Sequence, residues 1–492
     1  MNILLIYPEF PDTFWSFKHA LEFVGKRSAL PPLGLLTVAA MLPPEWSMRL
    51  VDTNVRKLTE KDLAWADCAF ISAMIVQRGP ARRIIARCKA AGLRVVAGGP
   101  LFNSEHGQFG DVDHFILNEA ELTLPPFLAD LAQGCPKRIY ASAGFADLRQ
   151  TPTPLWKLLD LRRYASMSIQ FSRGCPFNCD FCNVTALLGH RVRMKTSAQV
   201  TAELDGLYAL GWRGDVFFVD DNFIGNKPFV KADLLPALAA WRKGKTGNVF
   251  FTEASINLAD DQALMDGMVN AGFSKVFIGI ETPDEECLAE CSKGQNGNRD
   301  LVADVKRIQR SGLQVQGGFI VGFDSDQLSI FQRQIDFIQK SGIVTAMVGL
   351  LQAPAGTRLY ARMEKEGRLC SQSSGDNVDG TTNIVPAMSM EALKEGYRRI
   401  LDHIYSPGPY YQRIRTFLRE YKTPRVRGHV NFSHILALVR SFYRLGIVGR
   451  ERFQYWKLLL WTQFRHPRLL PDAIILAIYG YHFRKICKRH VV

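Results

Sequence analysis

The chain has 492 residues, of which 47% are hydrophobic and 22% are charged, and its formal net charge is +14. This length exceeds one ordinary hydrophobic core, so two or three domains are expected. No apolar run reaches the ~18 residues of a spanning helix, and the first residues lack the basic region of a signal peptide, so we expect a cytoplasmic protein. The ten cysteines then indicate metal ligation and buried thiols rather than disulfides.

Up to about residue 141, short apolar runs alternate with helical stretches. Strands that are bounded by turn residues and separated by helices predict an α/β fold with a doubly wound parallel sheet. Ligands of such sheets lie beyond the carboxyl ends of the strands. No G-x-G-x-x-G or P-loop motif follows a strand, which disfavours a dinucleotide or a nucleoside triphosphate. The residues at these strand ends are Tyr7, Pro8, Asp52, Ser72, Gly98, Gly99, Asn118 and Glu119.

A second segment is predicted from 142 to 388, with its core at 154–360. Its repeats begin after the proline-rich linker 151–154, and a strand-like run occurs six times, with a helical run after each strand except the last. Six repeats are too few for a full eight-stranded barrel, so we expect a partial barrel with its active site at the carboxyl ends of the strands. The predicted strands are 167–171, 215–219, 248–252, 275–280, 313–321 and 344–351.

Three cysteines follow the first of these strands in C-x3-C-x2-C spacing: Cys175, Cys179 and Cys182. An iron–sulfur cube with only three cysteine ligands keeps one iron free of protein ligands. No fourth cysteine or histidine pair follows nearby, which disfavours a ferredoxin or a structural zinc site. The alternative is three cysteines packed by chance in a core, and the turn residues Gly174 and Pro176 disfavour it.

This loop resembles that of the radical S-adenosylmethionine superfamily. The resemblance implies a 4Fe-4S cluster whose free iron binds S-adenosylmethionine, and an external electron donor such as flavodoxin or ferredoxin. In that family, one electron cleaves the sulfonium, and the resulting 5′-deoxyadenosyl radical abstracts hydrogen from unactivated carbon. The protein binds and orients the cofactors and excludes water. No catalytic residue beyond the cluster ligands follows from the sequence.

The resemblance also assigns S-adenosylmethionine contacts to the other strand ends. Carboxylates there would face the amino group of S-adenosylmethionine, and glycines would let the flat adenine lie on the backbone. The acid that usually follows the glycine-rich strand is replaced by Ser325. For the first two acids the alternative is a solvated loop or a helix cap. The assigned residues are Asp220, Asp221, Glu253, Ser255, Glu281, Gly318 and Gly322.

The first segment resembles the cobalamin-binding domain of one branch of this superfamily, with matching stretches at 31–34 and 97–100. The eight residues named above at its strand ends are then candidate cobalamin contacts. The Asp-x-His-x-x-Gly motif that supplies an axial imidazole in other cobalamin proteins is missing. The resemblance therefore implies cobalamin bound without a histidine on cobalt.

The segment 389–492 is predicted to be a helical domain rich in basic and aromatic residues. From residue 391 onwards it has 20 Lys and Arg, 6 Asp and Glu and seventeen aromatic residues. It resembles the domain of unknown function that ends a hopanoid-methylase-like subgroup, with matching stretches at 406–413 and 480–483. Such a surface suits anionic lipid headgroups, which implies peripheral contact with the inner membrane surface, or an acidic substrate. The alternative is a helical cap over the barrel. Nucleic acid is disfavoured because no RNA-binding module is visible.

These observations predict a cobalamin-dependent radical S-adenosylmethionine enzyme that methylates an unactivated carbon of a small-molecule or lipid-like substrate. Ring closure, ring contraction or oxidation on the same cofactors remains an alternative. RNA methylthiolation is disfavoured because it requires three further N-terminal cysteine ligands, and Cys68, Cys88 and Cys135 lie in unsuitable settings. A non-enzymatic cluster sensor is the last alternative. Cys287 and Cys291 are interpreted as packing or surface residues.

Overall fold

The computed structural model describes residues 1–422 and 432–490. Its first part is a six-stranded parallel sheet in the order β2-β1-β3-β4-β5-β6. The strands are β1 (Asn2–Tyr7), β2 (Ser47–Asp52), β3 (Cys68–Ser72), β4 (Arg94–Gly98), β5 (His114–Ile116) and β6 (Ile139–Tyr140). The helices are α1 (Lys18–Val24), α2 (Leu33–Met41), α3 (Glu60–Trp65), α4 (Arg78–Ala90), α5 (Pro100–Glu105) and α6 (Ala120–Ala132).

Both faces of this sheet are covered by helices. Leu4 and Ile6 of β1 lie in one core with side chains of α3, α4 and α5. Ile3 and Leu5 lie in another core with side chains of α2 and α6. Successive residues of a strand point to opposite faces, so a strand buried on both sides is apolar throughout. The predicted doubly wound sheet is confirmed, and its strand order reverses between β1 and β3, where such sheets bind ligands.

The second part contains a six-stranded parallel sheet in the order β14-β13-β12-β11-β10-β7, and a short antiparallel hairpin of β8 and β9. Its six strands confirm the predicted partial barrel and match the predicted runs within a few residues. The strands are β7 (Ser166–Ile169), β8 (Ser172–Arg173), β9 (Arg193–Met194), β10 (Asp215–Phe218), β11 (Phe250–Glu253), β12 (Phe273–Glu281), β13 (Gln314–Val321) and β14 (Ala346–Leu350).

Two helices of this part have clear sequence signals at both ends. The side chains of Asp261 and Asp300 accept backbone N–H groups at the starts of α11 and α13, and Gly272 and Gly312 end the same helices at φ of 103° and 109°. The helices are α7 (Val184–Leu188), α8 (Ser197–Ala209), α9 (Lys227–Phe229), α10 (Leu235–Trp241), α11 (Gln262–Ala271), α12 (Glu285–Glu290), α13 (Leu301–Ser311), α14 (Ile330–Ser341) and α15 (Arg358–Lys365), with a π-helical turn (Val230–Leu234) between α9 and α10.

The two faces of the second sheet differ in burial. Outward residues such as Val216, Phe218 and Val276 are fully buried under the helices. Inward residues such as Phe217 and Phe277 are only half-buried. A complete barrel fills its interior with side chains. The interior of this partial barrel is therefore accessible from outside.

The C-terminal part is helical, as predicted. Tyr405 Oη donates to the carbonyl of Ala346 at 2.6 Å, and buried Arg413 donates to Gln339 Oε1 at 2.7 Å, so these helices pack on the barrel. Because proline interrupts a helix, the sequence predicts breaks at Pro407 and Pro424. Pro407 is the first residue of a helix, and Pro424 lies outside the described residues. The helices are α16 (Met390–Tyr405), α17 (Pro407–Glu420), α18 (Phe432–Ser441), α19 (Arg452–Arg465) and α20 (Leu470–His490), with a π-helical turn (Phe442–Ile447) after α18.

The last described helix returns to the beginning of the chain. The rings of Phe14 and Phe483 stack with centroids 4.1 Å apart, and Nε2 of His482 lies 2.9 Å from the carbonyl oxygen of Phe14. None of the helices in the described ranges is long and apolar enough to cross a membrane. Contacts such as these join the three parts of the chain. The domain boundaries at 141 and 388 stay predictions.

Candidate active site

The cysteine loop leaves the barrel between β8 and β9. Gly174 opens it with φ of 94°, and a Cβ atom there would lie 2.7 Å from the carbonyl oxygen of Arg191 and 2.9 Å from that of Gly189. Only glycine fits such a left-handed position against two carbonyls. The amide of Cys175 donates to the same Gly189 carbonyl at 3.3 Å. The backbone conformation at the start of the loop is thus fixed by Gly174 and by the contact with the Gly189 carbonyl.

The three predicted cluster ligands lie together on this loop, and each is half-buried. Burial raises the pKa of Cys182 to about 12 and also raises that of Cys175, so the thiols need a positive partner to ionise. Within the described residues, no three His, Cys, Asp or Glu side chains converge on a position where they could hold one metal ion. A cube does not require this convergence, because each thiolate binds a different iron. The donor set fits a cluster with three protein ligands.

Two amide side chains lie beside sulfurs of the cysteine loop. Nε2 of Gln295 is 3.6 Å from Sγ of Cys179, and Nδ2 of Asn222 is 3.9 Å from Sγ of Cys175. The ammonium of Lys293 pairs with Glu281, whose backbone has φ of 63°. Hydrogen bonds to cysteine sulfur and nearby positive charge both influence the potential of an iron–sulfur cluster. Lys293 and Gln295 follow α12 without any ligand-like spacing, so only the fold shows their proximity.

Asp220 holds the start of the loop. Its carboxylate accepts hydrogen bonds from the amide of Phe171 at 3.2 Å, from the hydroxyl of Ser172 at 2.6 Å and from the amide of Ser172. It is fully buried, and burial raises its pKa to about 7. A carboxylate with three local donors has little capacity left for a ligand. Asp220 therefore stabilises the backbone that leads into the cysteine loop.

Asp221 and Glu253 form an acidic pair at the mouth of the barrel. Burial raises the pKa of Asp221 to about 6. Burial, together with the negative charges of Asp221 and Asp220, raises the pKa of Glu253 to about 8. Among the described residues, no donor contacts the Glu253 side chain. Desolvated acids with raised pKa values are stabilised by a cation, so this pair fits the amino group of S-adenosylmethionine.

The remaining predicted contacts of S-adenosylmethionine lie on neighbouring strand ends. Ser255 Oγ donates to Asn257 at 2.7 Å. Gly318 faces Phe277, whose ring would lie 2.8 Å from a Cβ atom at position 318. Gly322 has φ of 104°, and its amide donates to Asp326 at 2.7 Å. Both glycines are buried, Gly318 under Phe277 and Gly322 beside Leu393, so their contact with the flat adenine stays a prediction.

The carboxyl edge of the first sheet contains small residues at its centre. A Cβ atom on Gly99 would lie 2.7 Å from Oγ of Ser72, and one on Gly98 would lie 2.8 Å from the carbonyl oxygen of Ile116. Asn118 is exposed with φ of 62°, and Met74, two residues after Ser72, is 43% exposed. Small residues under an open edge leave room for a macrocycle, so the edge fits the corrin ring of cobalamin.

Not all the predicted contacts at this edge are free. Tyr7 and Pro8 end β1, and the carbonyl of Pro8 accepts the Gln77 amide at 2.5 Å. Asp52 is buried and accepts the hydroxyl of Tyr164 at 2.9 Å. Glu119 is buried and accepts hydrogen bonds from Arg193 at 2.8 and 2.7 Å. Asp52 and Glu119 therefore join the first sheet to the barrel, and neither presents a free carboxylate to a ligand.

The two arginines that flank the cysteine loop join the loop to the first sheet. Arg173 in β8 donates to both carboxylate oxygens of Glu121, at 3.0 and 2.8 Å. Burial raises the pKa of Glu121, but the hydrogen bonds from Arg173 outweigh burial, and the net pKa is lowered. Arg193 in β9 pairs with Glu119 in the same way. The cysteine loop is thus held between the barrel and the carboxyl edge of the first sheet.

The inner wall of the barrel is lined with aromatic side chains. Phe217 and Phe251 stack with ring centroids 4.7 Å apart. The indole N–H of Trp15 donates to Sδ of Met347 at 2.9 Å, and its ring meets that of Phe277 at 5.5 Å. Trp15 belongs to the segment before α1. The residues next to it in the sequence do not indicate that it lies in the barrel. The wall offers a broad apolar surface below the cluster loop.

Comparisons with known proteins agree with this geometry. The model of the radical SAM superfamily matches residues 169–338, and that of a domain of unknown function, DUF4070, matches residues 357–491. An uncharacterized methyltransferase of Synechocystis sp. is 41% identical over 100% of this chain and 93% of its own length. The hopanoid C-2 methylase of Rhodopseudomonas palustris is 33% identical over 98% of this chain and 92% of its own. The chain belongs to the radical S-adenosylmethionine superfamily.

Solved structures of this superfamily share the fold. The cobalamin-dependent radical enzyme OxsB with aqua-cobalamin bound has a TM-score of 0.64 and 13% identity, and the match covers 99% of this chain and 80% of OxsB. The radical S-adenosylmethionine methyltransferase TsrM of Kitasatospora setae, with cobalamin and an iron–sulfur cluster bound, has a TM-score of 0.60 and 14% identity, over 93% of this chain and 98% of TsrM. At these identities the likeness concerns the fold alone.

Proposed function

We propose that this protein is a cobalamin-dependent radical S-adenosylmethionine enzyme that methylates an unactivated carbon of an apolar small molecule. The observation that carries the proposal is the position of the cysteine loop. Arg173 and Arg193 hold it between the open interior of the barrel and the carboxyl edge of the first sheet. Two cofactors and a substrate could then meet at the opening of the barrel, beside the carboxyl edge of the first sheet.

The cofactors would supply the radical and the methyl group when bound, and the residues of the chain would position them. Cys175, Cys179 and Cys182 would hold the 4Fe-4S cluster. Asp221 and Glu253 would bind the amino group of S-adenosylmethionine, because two half-buried acids with raised pKa values favour a cation beside them. The edge around Ser72, Gly98 and Gly99 would hold cobalamin. An external flavodoxin or ferredoxin would supply the electron.

The apolar wall supports the substrate class. Phe217, Phe251, Phe277, Met347 and Trp15 present rings and thioether to the interior, where a rigid hydrocarbon skeleton would be desolvated. The hopanoid C-2 methylase, which matches nearly the whole chain, is named for such a substrate. We therefore propose a lipid-like polycyclic substrate of the hopanoid type.

The test is anaerobic reconstitution followed by incubation with a reductant, a hopanoid lacking the C-2 methyl group and S-adenosylmethionine with a deuterated methyl group. We expect 5′-deoxyadenosine and a labelled product. The variant with Cys175, Cys179 and Cys182 all changed to Ala should bind no cluster and form neither compound, whereas Cys370→Ala, at an exposed cysteine, should behave as wild type.

The outcomes separate the alternatives. Deoxyadenosine with an unlabelled but altered product would favour ring closure or oxidation over methylation. A cluster without deoxyadenosine would favour a sensor. Protein that binds no iron under reducing, anaerobic conditions would refute the proposal.

A further inference from the structure

The hairpin of α18 and α19 exposes an unusual amount of apolar surface. Nine of the eighteen large hydrophobic side chains that are exposed in the described residues lie between 435 and 464. They form two stripes at helical spacing. The first stripe is Ile435, Val439, Tyr443 and Ile447, and the second is Phe453, Trp456, Leu460 and Phe464, with Val448 in the turn between them. Patches of this kind on a protein surface mark an interaction site.

The two stripes meet at the turn of the hairpin. The ring of Trp456 stacks on Phe442 at 5.5 Å, and its indole N–H donates to the carbonyl of Gly446 at 2.9 Å. Beside this contact, Ile447, Val448 and Phe453 are 60%, 63% and 75% exposed. The apolar side chains are therefore carried on a rigid turn, and their exposure is not the result of a loose chain end.

Basic residues accompany these apolar residues along the same stretch of chain. Residues 432–470 contain seven Lys and Arg and one acid, Glu451, which is buried and paired with Arg484. Five of the basic residues are exposed, and none of them is paired with an acid among the described residues: Arg450, Arg452, Lys457, Arg465 and Arg468. Apolar side chains flanked by arginine and lysine suit a bilayer surface with anionic headgroups.

We propose that this hairpin docks on an anionic lipid bilayer, with the tip residues Ile447, Val448 and Phe453 among the acyl chains and Arg450 and Arg452 at the phosphates. A protein partner would be expected to match exposed apolar residues with a shaped apolar groove and the surrounding basic residues with acids. The exposed arginines and lysines here have no acidic partners among the described residues and require only a negatively charged plane. The charge complementarity therefore favours lipid over a second copy of this chain, which would bring like charges together.

The docked hairpin would lie close to the route into the barrel. Arg444 pairs with Glu22 in α1 at 2.5 Å, so the hairpin is fixed to this helix. The segment directly before α1 contributes Trp15 to the apolar inner wall. This proposal rests on the proposed function for its purpose, because a lipid-like substrate would be collected where it dissolves.

The test is co-sedimentation of the full chain with phosphatidylcholine vesicles, with and without phosphatidylglycerol. We expect binding that needs the anionic lipid and weakens with salt. The double variant Ile447→Ser and Phe453→Ser should bind at least about tenfold more weakly, since two apolar side chains no longer enter the bilayer. Leu328→Ser is the matched control, because Leu328 is 69% exposed on the barrel and should not affect binding.

Each of two results would overturn the proposal. One is equal vesicle binding by the double variant and the wild type. The other is no vesicle binding together with a concentration-dependent dimer that the double variant abolishes, which would assign the face to a second copy. Iron content and deoxyadenosine release, measured on the same preparations, should not change with the substitutions. Their loss in the wild type would count against the proposed function and leave the vesicle result standing.

Discussion

The guanidinium of Arg193 and the carboxylate of Glu119 form a two-armed pair, with N–O distances of 2.8 and 2.7 Å, in which both side chains are largely buried. Arg193 ends the cysteine loop, and Glu119 precedes α6 of the first sheet. A second pair, of Arg173 and Glu121, lies alongside. The relative position of the two candidate cofactor sites therefore depends on charged contacts.

Breaking this pair should be costly. Arg193→Ala removes the nearest cation from a buried carboxylate, which keeps only the Ala146 amide at 2.6 Å and Arg173 at 3.7 Å. We expect a loss of about 3 kcal/mol in the free energy of unfolding. Urea denaturation followed by circular dichroism measures it. Arg149→Ala, in the exposed pair with Asp147, should leave the free energy of unfolding nearly unchanged, because solvent screens exposed ion pairs. Similar losses for the two variants would show that the Arg193 pair contributes little.

Gly174→Ala should impair cluster binding. The new methyl group would meet two carbonyl oxygens in a backbone conformation that alanine disfavours, so the loop should shift. Iron and sulfide per chain after anaerobic reconstitution should fall well below the wild-type value. Gly107→Ala is the control, since a Cβ atom there meets nothing within 4 Å. Full iron content in the Gly174 variant would contradict the assigned loop geometry.

Glu253→Gln should change how stability depends on pH. Burial raises the pKa of Glu253 to about 8, so between its unfolded value near 4.5 and pH 8 the unfolded state ionises while the folded state stays protonated. The wild type thus loses stability relative to the variant as the pH rises, by at most about 1.4 kcal/mol per unit. Melting temperatures at pH 5 and pH 8 should diverge, with the variant more stable at pH 8.

The same variant should bind S-adenosylmethionine more weakly at pH 8, because the neutral amide replaces a carboxylate that would face an ammonium group. Isothermal titration with the reconstituted protein measures this. Affinity equal to that of the wild type, with the expected stability change still present, would remove Glu253 from the ligand site and keep it as a buried acid.

Gln295→Ala should lower the reduction potential of the cluster. The amide lies 3.6 Å from Sγ of Cys179, and a hydrogen bond to sulfur stabilises the reduced, more negative cluster. A redox titration followed by electron paramagnetic resonance gives the potential. Gln262→Ala, on the outside of α11, should leave it unchanged. An unaltered potential in the Gln295 variant would mean that the amide does not contact the sulfur in the loaded protein.

Much of the fold could be predicted because its signals are local. The apolar runs at 3–7 and 215–219 lie in strands, and Asp261 and Gly272 cap α11 at its two ends. The spacing of the three cysteines also identified their loop, since a tight turn holds all of them. Cys287 and Cys291, interpreted as packing or surface residues, are buried in a small apolar core.

The rest could not be predicted because it depends on contacts between distant residues. The sequence places Asp220 and Asp221 side by side, but only the fold shows that Asp220 supports β7 and β8 while Asp221 faces the mouth. Glu119 was expected at a ligand and instead pairs with Arg193, 74 residues away. The apolar stripes of α18 and α19 look like core from their spacing, and only their exposure distinguishes them.

The stacking of Phe14 on Phe483 has a consequence for biosynthesis. A ribosome finishes the first sheet long before it makes the helix that covers its opening segment, since Phe14 and His482 are 468 positions apart. Until that helix is made, the segment that contains Phe14 and Trp15 lacks the side chains that cover it in the finished protein.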